Sequence, residues 1–205
     1  MNKGLLGFVV VSMLSVASVV ALRSSVRGLP RAAVRALGVV SKGDNAPTGI
    51  SLDVIAAEDE KCKLGDAVDF GDVLKGHKKA VLFAVPGAFT PTCSAQHLPG
   101  FVKQAATLKA KGVDAVYCLS VNDKYVMKSW GDATEGFGKS GIKLVADGNG
   151  EFTKALGFEK DATGSRMGLR SKRYALIVEN GMITSVNVDE KGLENSSAEK
   201  ILEQL

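Results

Sequence analysis

Cys93 is the residue of this chain with the most chemistry to offer, and its neighbours limit what that chemistry can be. A cysteine thiolate is a strong nucleophile. Cys93 follows an apolar run, a tight turn at Pro86 and Gly87, and a short loop, and it opens a segment that reads as a helix. Free backbone N–H groups and the helix dipole at such a terminus favour a thiolate over a thiol. The competing reading is a small buried hydrophobe, the commonest fate of a free cysteine. Three residues before it stands Thr90, where a dithiol enzyme would carry a second cysteine. A hydroxyl forms no disulfide, so dithiol exchange within the loop is excluded. A threonine there can instead hydrogen-bond the thiolate, or an oxygen held next to it. Pro86 fixes the entry to the loop and offers no N–H donor. His97, four residues on, lies on the same helix face as Cys93. A Cys–His couple suggests a cysteine hydrolase, but no triad or oxyanion pattern accompanies it, and His97 reads as a packing or polar residue beside the site.

The elements that must position these residues follow from hydropathy. Ala80–Val85 is uninterrupted apolar sequence, the pattern of a strand buried on both faces. Residues 93–111 carry Leu98, Phe101, Val102, Ala105 and Leu108 close to one helical face, with Pro99 expected to kink it. A second buried strand is expected over 113–121 and a helix over 123–130, followed by a Gly-rich loop over 131–141. A short strand at 142–146 and a brief helix at 151–156 come next. Residues 162–171 read as polar and mobile. Asn180-Gly181 between two alternating runs is a hairpin signal, and Ser196 and Ser197 precede a last helix at 198–205. The order predicts an α/β fold: a central mixed sheet with parallel strands in the middle and helices on both faces. Strand, loop, cysteine and helix in this order resemble the thioredoxin-like plan.

Composition sets bounds. The 205 residues are 45% hydrophobic and 23% charged, ordinary for a globular domain. Three cysteines at irregular spacing (Cys62, Cys93, Cys118) argue against a secreted disulfide framework. With two histidines and no CxxC or HxxxH, a structural zinc site is not expected. Cys62, between Lys61 and Lys63, reads as an exposed turn residue. Of the 26 basic residues, six fall in residues 1–43, where there is no acid; the remaining 20 face 22 acidic residues, so the rest of the chain carries −2. That gives no electrostatic case for binding nucleic acid.

Residues 1–44 read as a targeting leader and 45–205 as the domain. Residues 5–22 hold no charge and are broken by small residues, as in a signal-peptide core. A membrane anchor of this length is the alternative. Residues 23–43 are Arg-rich, contain serine and lack acids, as in an organelle transit peptide. The pair resembles a two-part plastid address; a mitochondrial presequence and simple secretion compete with it. The mature form is expected to have no membrane span.

Pro86, Thr90 and Cys93 match the P-x-x-x-T-x-x-C signature of the peroxiredoxins, and VPGAFTPTCSAQHLPGF resembles their type-II, plant-like subfamily. Further ordered matches are LSVND at 119–123, MKSW at 127–130, SKRYAL at 171–176 and NSSAE at 195–199. The resemblance implies a thiol-dependent peroxidase that reduces hydrogen peroxide and alkyl hydroperoxides through a sulfenic acid on Cys93. It implies Arg173 as the fixed cation of the site, where the bland reading is a surface residue in the cluster Arg170, Lys172, Arg173. It implies no cofactor, a homodimer, and regeneration by glutathione and glutaredoxin or by thioredoxin. Cys118 is the possible resolving thiol, with a buried core residue as the alternative. A position inside a strand, three residues before its expected end at Val121, puts it roughly 10 Å below the sheet edge, beyond disulfide reach without local unfolding. A redox sensor using the same thiolate is the alternative function.

Overall fold

In the computed structural model, the described residues are 38–59, 64 and 67–205. Residues 1–37 of the 1–44 leader, and Cys62, lie outside them. Nine strands and six α-helices are described here, in the order β1 (Ser51–Ile55), β2 (Val68–Asp69), α1 (Phe70–Lys75), β3 (Ala80–Val85), a π-helical turn (Cys93–His97) running into α2 (Leu98–Ala110), β4 (Ala115–Ser120), α3 (Lys124–Ala133), α4 (Phe137–Ser140), β5 (Lys143–Ala146), α5 (Glu151–Leu156), β6 (Glu159–Asp161), β7 (Leu169–Ser171), β8 (Arg173–Glu179), β9 (Met182–Asp189) and α6 (Ala198–Leu202). The main sheet has the order β2-β1-β5-β4-β3-β8-β9. β3, β4 and β5 are parallel and the outer pairings antiparallel. This is the mixed α/β sheet expected from the sequence.

β3 is wholly buried because it lies inside the sheet, between β4 and β8, and is covered on both faces. Val81, Phe83 and Val85 point to one core, with Leu98, Phe101 and Leu108 of α2, Met127 and Trp130 of α3, and Ile201 of α6. Ala80, Leu82 and Ala84 point to the other, with Phe70 and Leu74 of α1 and Phe152 and Leu156 of α5. Alternate side chains of a strand face opposite sides, so an all-apolar strand needs exactly this double cover. The hairpin forms where Asn180-Gly181 requires it: both residues have positive φ, 49° and 82°, the combination a two-residue primed turn needs.

Four expectations are corrected. β4 ends at Ser120, not Val121, because Val121 and Asn122 already turn away toward α3. The stretch 131–141 is not plain loop: α3 runs to Ala133, and α4 follows, burying Phe137. Gly131 lies within α3, and a Cβ added there would approach Leu144 and Phe137 to 2.8 Å. Glycine at this position thus serves close packing rather than loop freedom. Residues 162–171 hold a short 3₁₀ turn and then β7, which pairs antiparallel with β6. The last helix stops at Leu202.

Where a kink is expected at Pro99, the helix carries a π-helical turn just before it. The helix begins at Pro91, and Leu98 N–H bonds back to Cys93 O, five residues earlier. Proline at 99 has no N–H to continue the four-residue ladder, and a widened turn just before it absorbs that loss. The packed body reaches back to Val40, which is buried and whose N–H donates to Leu156 O at 3.1 Å. Among the described residues, no helix is long and apolar enough to cross a membrane.

Candidate active site

The site forms where three strand ends meet. β3 ends at Val85, and the loop that follows carries Thr90 and delivers Cys93 into the first helical turn. β8 runs antiparallel beside β3, with Tyr174 paired to Ala84. Arg173, one residue earlier, therefore begins β8 at the level where β3 stops. That register brings together residues 80 positions apart: Arg173 Nη2 lies 3.4 Å from Cys93 Sγ. Cys93 is fully buried and Arg173 is 8% exposed.

The basic cluster 170–173 is split by its surroundings. Arg170 gives Nη1 to Val121 O at 2.9 Å and Nε to Met167 O at 2.8 Å, and so holds loops together. Lys172 is half-buried and pairs with Glu190 at 3.2 Å. Arg173 alone of the three turns inward to the cysteine.

Thr90 lies in the loop just before Cys93, and its hydroxyl is engaged within that loop. Its hydroxyl has one proton, and that proton goes to Gly87 O at 2.8 Å. The hydroxyl therefore does not donate to Cys93 here, and its oxygen can still accept a hydrogen bond. Thr90 O also accepts from Ser94 N–H, which fixes the turn into the helix. Pro86 follows directly on β3 and is partly exposed.

Two groups that sequence reasoning undervalued complete the arrangement. Asn122 Oδ1 accepts from Ala88 N–H at 3.0 Å and from Ser120 Oγ at 2.8 Å, tying the end of β4 to the cysteine loop. His97 is buried, its Nδ1 2.9 Å from Arg173 Nη1 and its Nε2 2.9 Å from Ser196 O. Burial first, and then the Arg173 charge, hold the imidazole down at about 3, against the opposing pull of the Ser196 carbonyl and Asp189. Neutral at physiological pH, it can accept from the guanidinium. The four-residue spacing to Cys93 was the only sequence signal for His97; its partners come from 76 and 99 positions away.

Cys118 lies in β4 opposite Phe83 and shares the buried cluster of Cys93. Both are free thiols. Burial, and next the neighbouring Cys93, push the Cys118 thiol well up, with Arg173 opposing. Beside the site a groove of ≈ 340 Å³ is lined by Phe89, Ser94, Pro99, Trp130, Thr134 and Glu135. Phe89 is 56% exposed, and Trp130 Nε1 donates to Ser94 Oγ at 3.0 Å. A larger groove of ≈ 540 Å³ between α2 and the start of β4 lies at the opposite end of that strand, and neither cysteine nor histidine lines it. Among the described residues, no group of His, Cys, Asp or Glu is arranged to hold a metal ion.

Residues 41–202 match the family model described as Redoxin. Peroxiredoxin-2D of Arabidopsis thaliana is 44% identical over 167 residues, which cover 81% of this chain and 98% of that protein. The chain is a type-II peroxiredoxin. Chloroplastic Peroxiredoxin-2E-2 of Oryza sativa subsp. japonica is 52% identical over 135 residues, 64% of this chain and 60% of that protein. Among solved structures, reduced Prx3 from Vibrio vulnificus in complex with H2O2 is 45% identical with a TM-score of 0.71; the match covers 82% of this chain and 100% of that one. Peroxiredoxins are thiol-dependent peroxidases, and this chain is an oxidoreductase of that kind.

Proposed function

We propose that Cys93 is the reacting thiol and that Arg173, Thr90 and Pro86 build the peroxide site around it. The observation that carries this is the Arg173 Nη2 to Cys93 Sγ distance of 3.4 Å inside a buried site. The thiolate attacks the terminal peroxide oxygen. The S–O bond forms as the O–O bond breaks, leaving a sulfenic acid on Cys93. The second oxygen leaves as hydroxide or alkoxide and takes a proton to become water or alcohol. Negative charge thus moves from sulfur toward the leaving oxygen. A planar guanidinium beside the sulfur can follow that charge without reorganising. The Thr90 oxygen accepts from the peroxide O–H and aligns it.

Hydrogen peroxide and alkyl hydroperoxides are the proposed substrates. The relative holding H2O2 supports the first. The groove with exposed Phe89 supports the second, since it offers apolar surface to an organic tail. Reduction falls to Cys118 with thioredoxin, or to glutathione and glutaredoxin acting directly on the sulfenic acid. A thiol attacks as thiolate, and burial opposes that form at Cys118. Internal resolution therefore requires the helix start or the end of β4 to open locally. A homodimer and a plastid address for the leader complete the proposal; two of the relatives are chloroplastic proteins. The removable part of the leader ends ahead of Val40, which the domain buries.

Intact-mass analysis after one equivalent of peroxide tests the reading. A gain of one oxygen on Cys93 that converts to an internal disulfide is expected, and Cys93→Ser should show neither. Cys118→Ser should form the sulfenic acid at the parent rate but turn over slowly with thioredoxin. Unchanged turnover with every reductant refutes a resolving Cys118. Stopped-flow peroxide consumption no faster than that of a free thiol would instead favour a redox sensor.

A further inference from the structure

We infer that His97 is a positioning residue for Arg173, and that Asp189 holds it to that task through the Ser196 backbone. The inference rests on Cys93 as the reacting thiol. It starts from hydrogen-bond valence. A guanidinium only donates and a carbonyl only accepts. With Arg173 Nη1 at 2.9 Å from Nδ1 and Ser196 O at 2.9 Å from Nε2, His97 satisfies both in one form only: Nδ1 bare, Nε2 protonated. The other tautomer, or the imidazolium, would place an N–H against the guanidinium.

The ring has little freedom to turn. It packs 4.9 Å from the Phe83 ring and 5.6 Å from the Phe101 ring, and those two rings are themselves stacked at 3.9 Å. The carbonyl that reads Nε2 is also fixed. Asp189 accepts from Asn195 N–H at 2.7 Å, Ser196 N–H at 3.1 Å and Ser196 Oγ at 2.6 Å. Asp189 pairs with Arg173 across the β8–β9 ladder, so the clamp and the cation share one sheet register.

A guanidinium is rigid and planar. Once Nη1 is tied to Nδ1, the direction of Nη2 follows, and it points to Cys93 Sγ. Without an acceptor at Nδ1, Arg173 could rotate about its long side chain and still be buried and charged. The chain from Asp189 through Ser196 and His97 converts a nearby cation into an aimed one. Displacement of a catalytic group by about 1 Å can cost on the order of 100-fold in rate.

The test uses the full chain and reads sulfenic acid formation on Cys93 with hydrogen peroxide. His97→Leu should lower the second-order rate by about 10- to 100-fold. His97→Asn places an acceptor near the Nδ1 position and should recover to within about threefold of the parent. In an Arg173→Gln background, His97→Leu should have no further effect, since a residue acting only through Arg173 has nothing left to position. Parent-like rates for His97→Leu, no recovery with His97→Asn, or additive losses in the double variant would each overturn the inference. Should His97→Leu fail to fold, nitrogen NMR of the parent decides. A protonated Nδ1 between pH 5 and 8 refutes the inference, and a bare Nδ1 with protonated Nε2 supports it. The Cys93→Ser control separates outcomes: if peroxide reduction survives it, the reacting thiol has been misassigned, independently of His97.

Discussion

Replacing Arg173 by glutamine removes the charge and leaves a shorter, neutral donor. The structure sets the scale of the loss. Unit charges 3.4 Å apart attract by about 5 kcal/mol at an effective dielectric of about 20. That is a ceiling, because part of this attraction already exists with the ground-state thiolate and only the excess in the transition state lowers the barrier. Loss of one preorganised donor in a buried site costs about 100- to 1,000-fold in rate. The expected result is a fall of that size in the second-order rate with hydrogen peroxide. Arg173→Lys should fall between the two, because one ammonium cannot reach both Cys93 Sγ and His97 Nδ1 as the planar fork does. The assay is a rapid-mix, quench experiment in which sulfenic acid is trapped and quantified by mass, with circular dichroism confirming the fold. A folded Arg173→Gln protein reacting within about threefold of the parent would refute the electrostatic argument.

Further outcomes follow from the same geometry. Thr90→Val deletes the hydroxyl bonded to Gly87 O; it should slow sulfenic acid formation at least tenfold, on the order of an alignment effect, and lower stability by about 1 kcal/mol, and an unchanged rate would remove Thr90 from the site. His97 titrates at about 3 in the folded protein against 6.5 when unfolded. The unfolded chain thus binds more protons between those values, and stability present above pH 6.5 is lost as pH falls, by about 1.4 kcal/mol per pH unit from this residue. Urea titrations of the parent and His97→Asn at several pH values between 6.5 and 4.5 should diverge by that slope; parallel curves would contradict it. Trp130 is the single tryptophan of the chain and bonds Ser94, next to Cys93. Peroxide should change its fluorescence in the parent and leave Cys93→Ser unchanged, and an equal change in both would show that the signal does not report the cysteine.

The sequence alone singled out Cys93 as the candidate nucleophile, excluded dithiol exchange through Thr90, and predicted the parallel strand core that carries the loop. These are local properties. An all-apolar run can be satisfied only between two covered faces, a hydroxyl cannot become a disulfide, and Asn-Gly supplies the positive φ values of a hairpin. The helix segments inside 131–141 and the ribbon in 162–171 were hidden because their glycines and polar residues resemble loop; tertiary packing around Phe137 and the pairing of β7 with β6 decided them. The site was legible as a list of residues but not as an arrangement. Arg173 differs from Arg170 and Lys172 only because the β3–β8 register sets it beside the end of β3. Thr90 spends its proton on Gly87, and His97 becomes a neutral acceptor because burial and the Arg173 charge forbid its protonation. Register, proton direction and burial depend on residues up to 99 positions away. They are set when the chain closes its sheet, which is why no local reading of the sequence contains them.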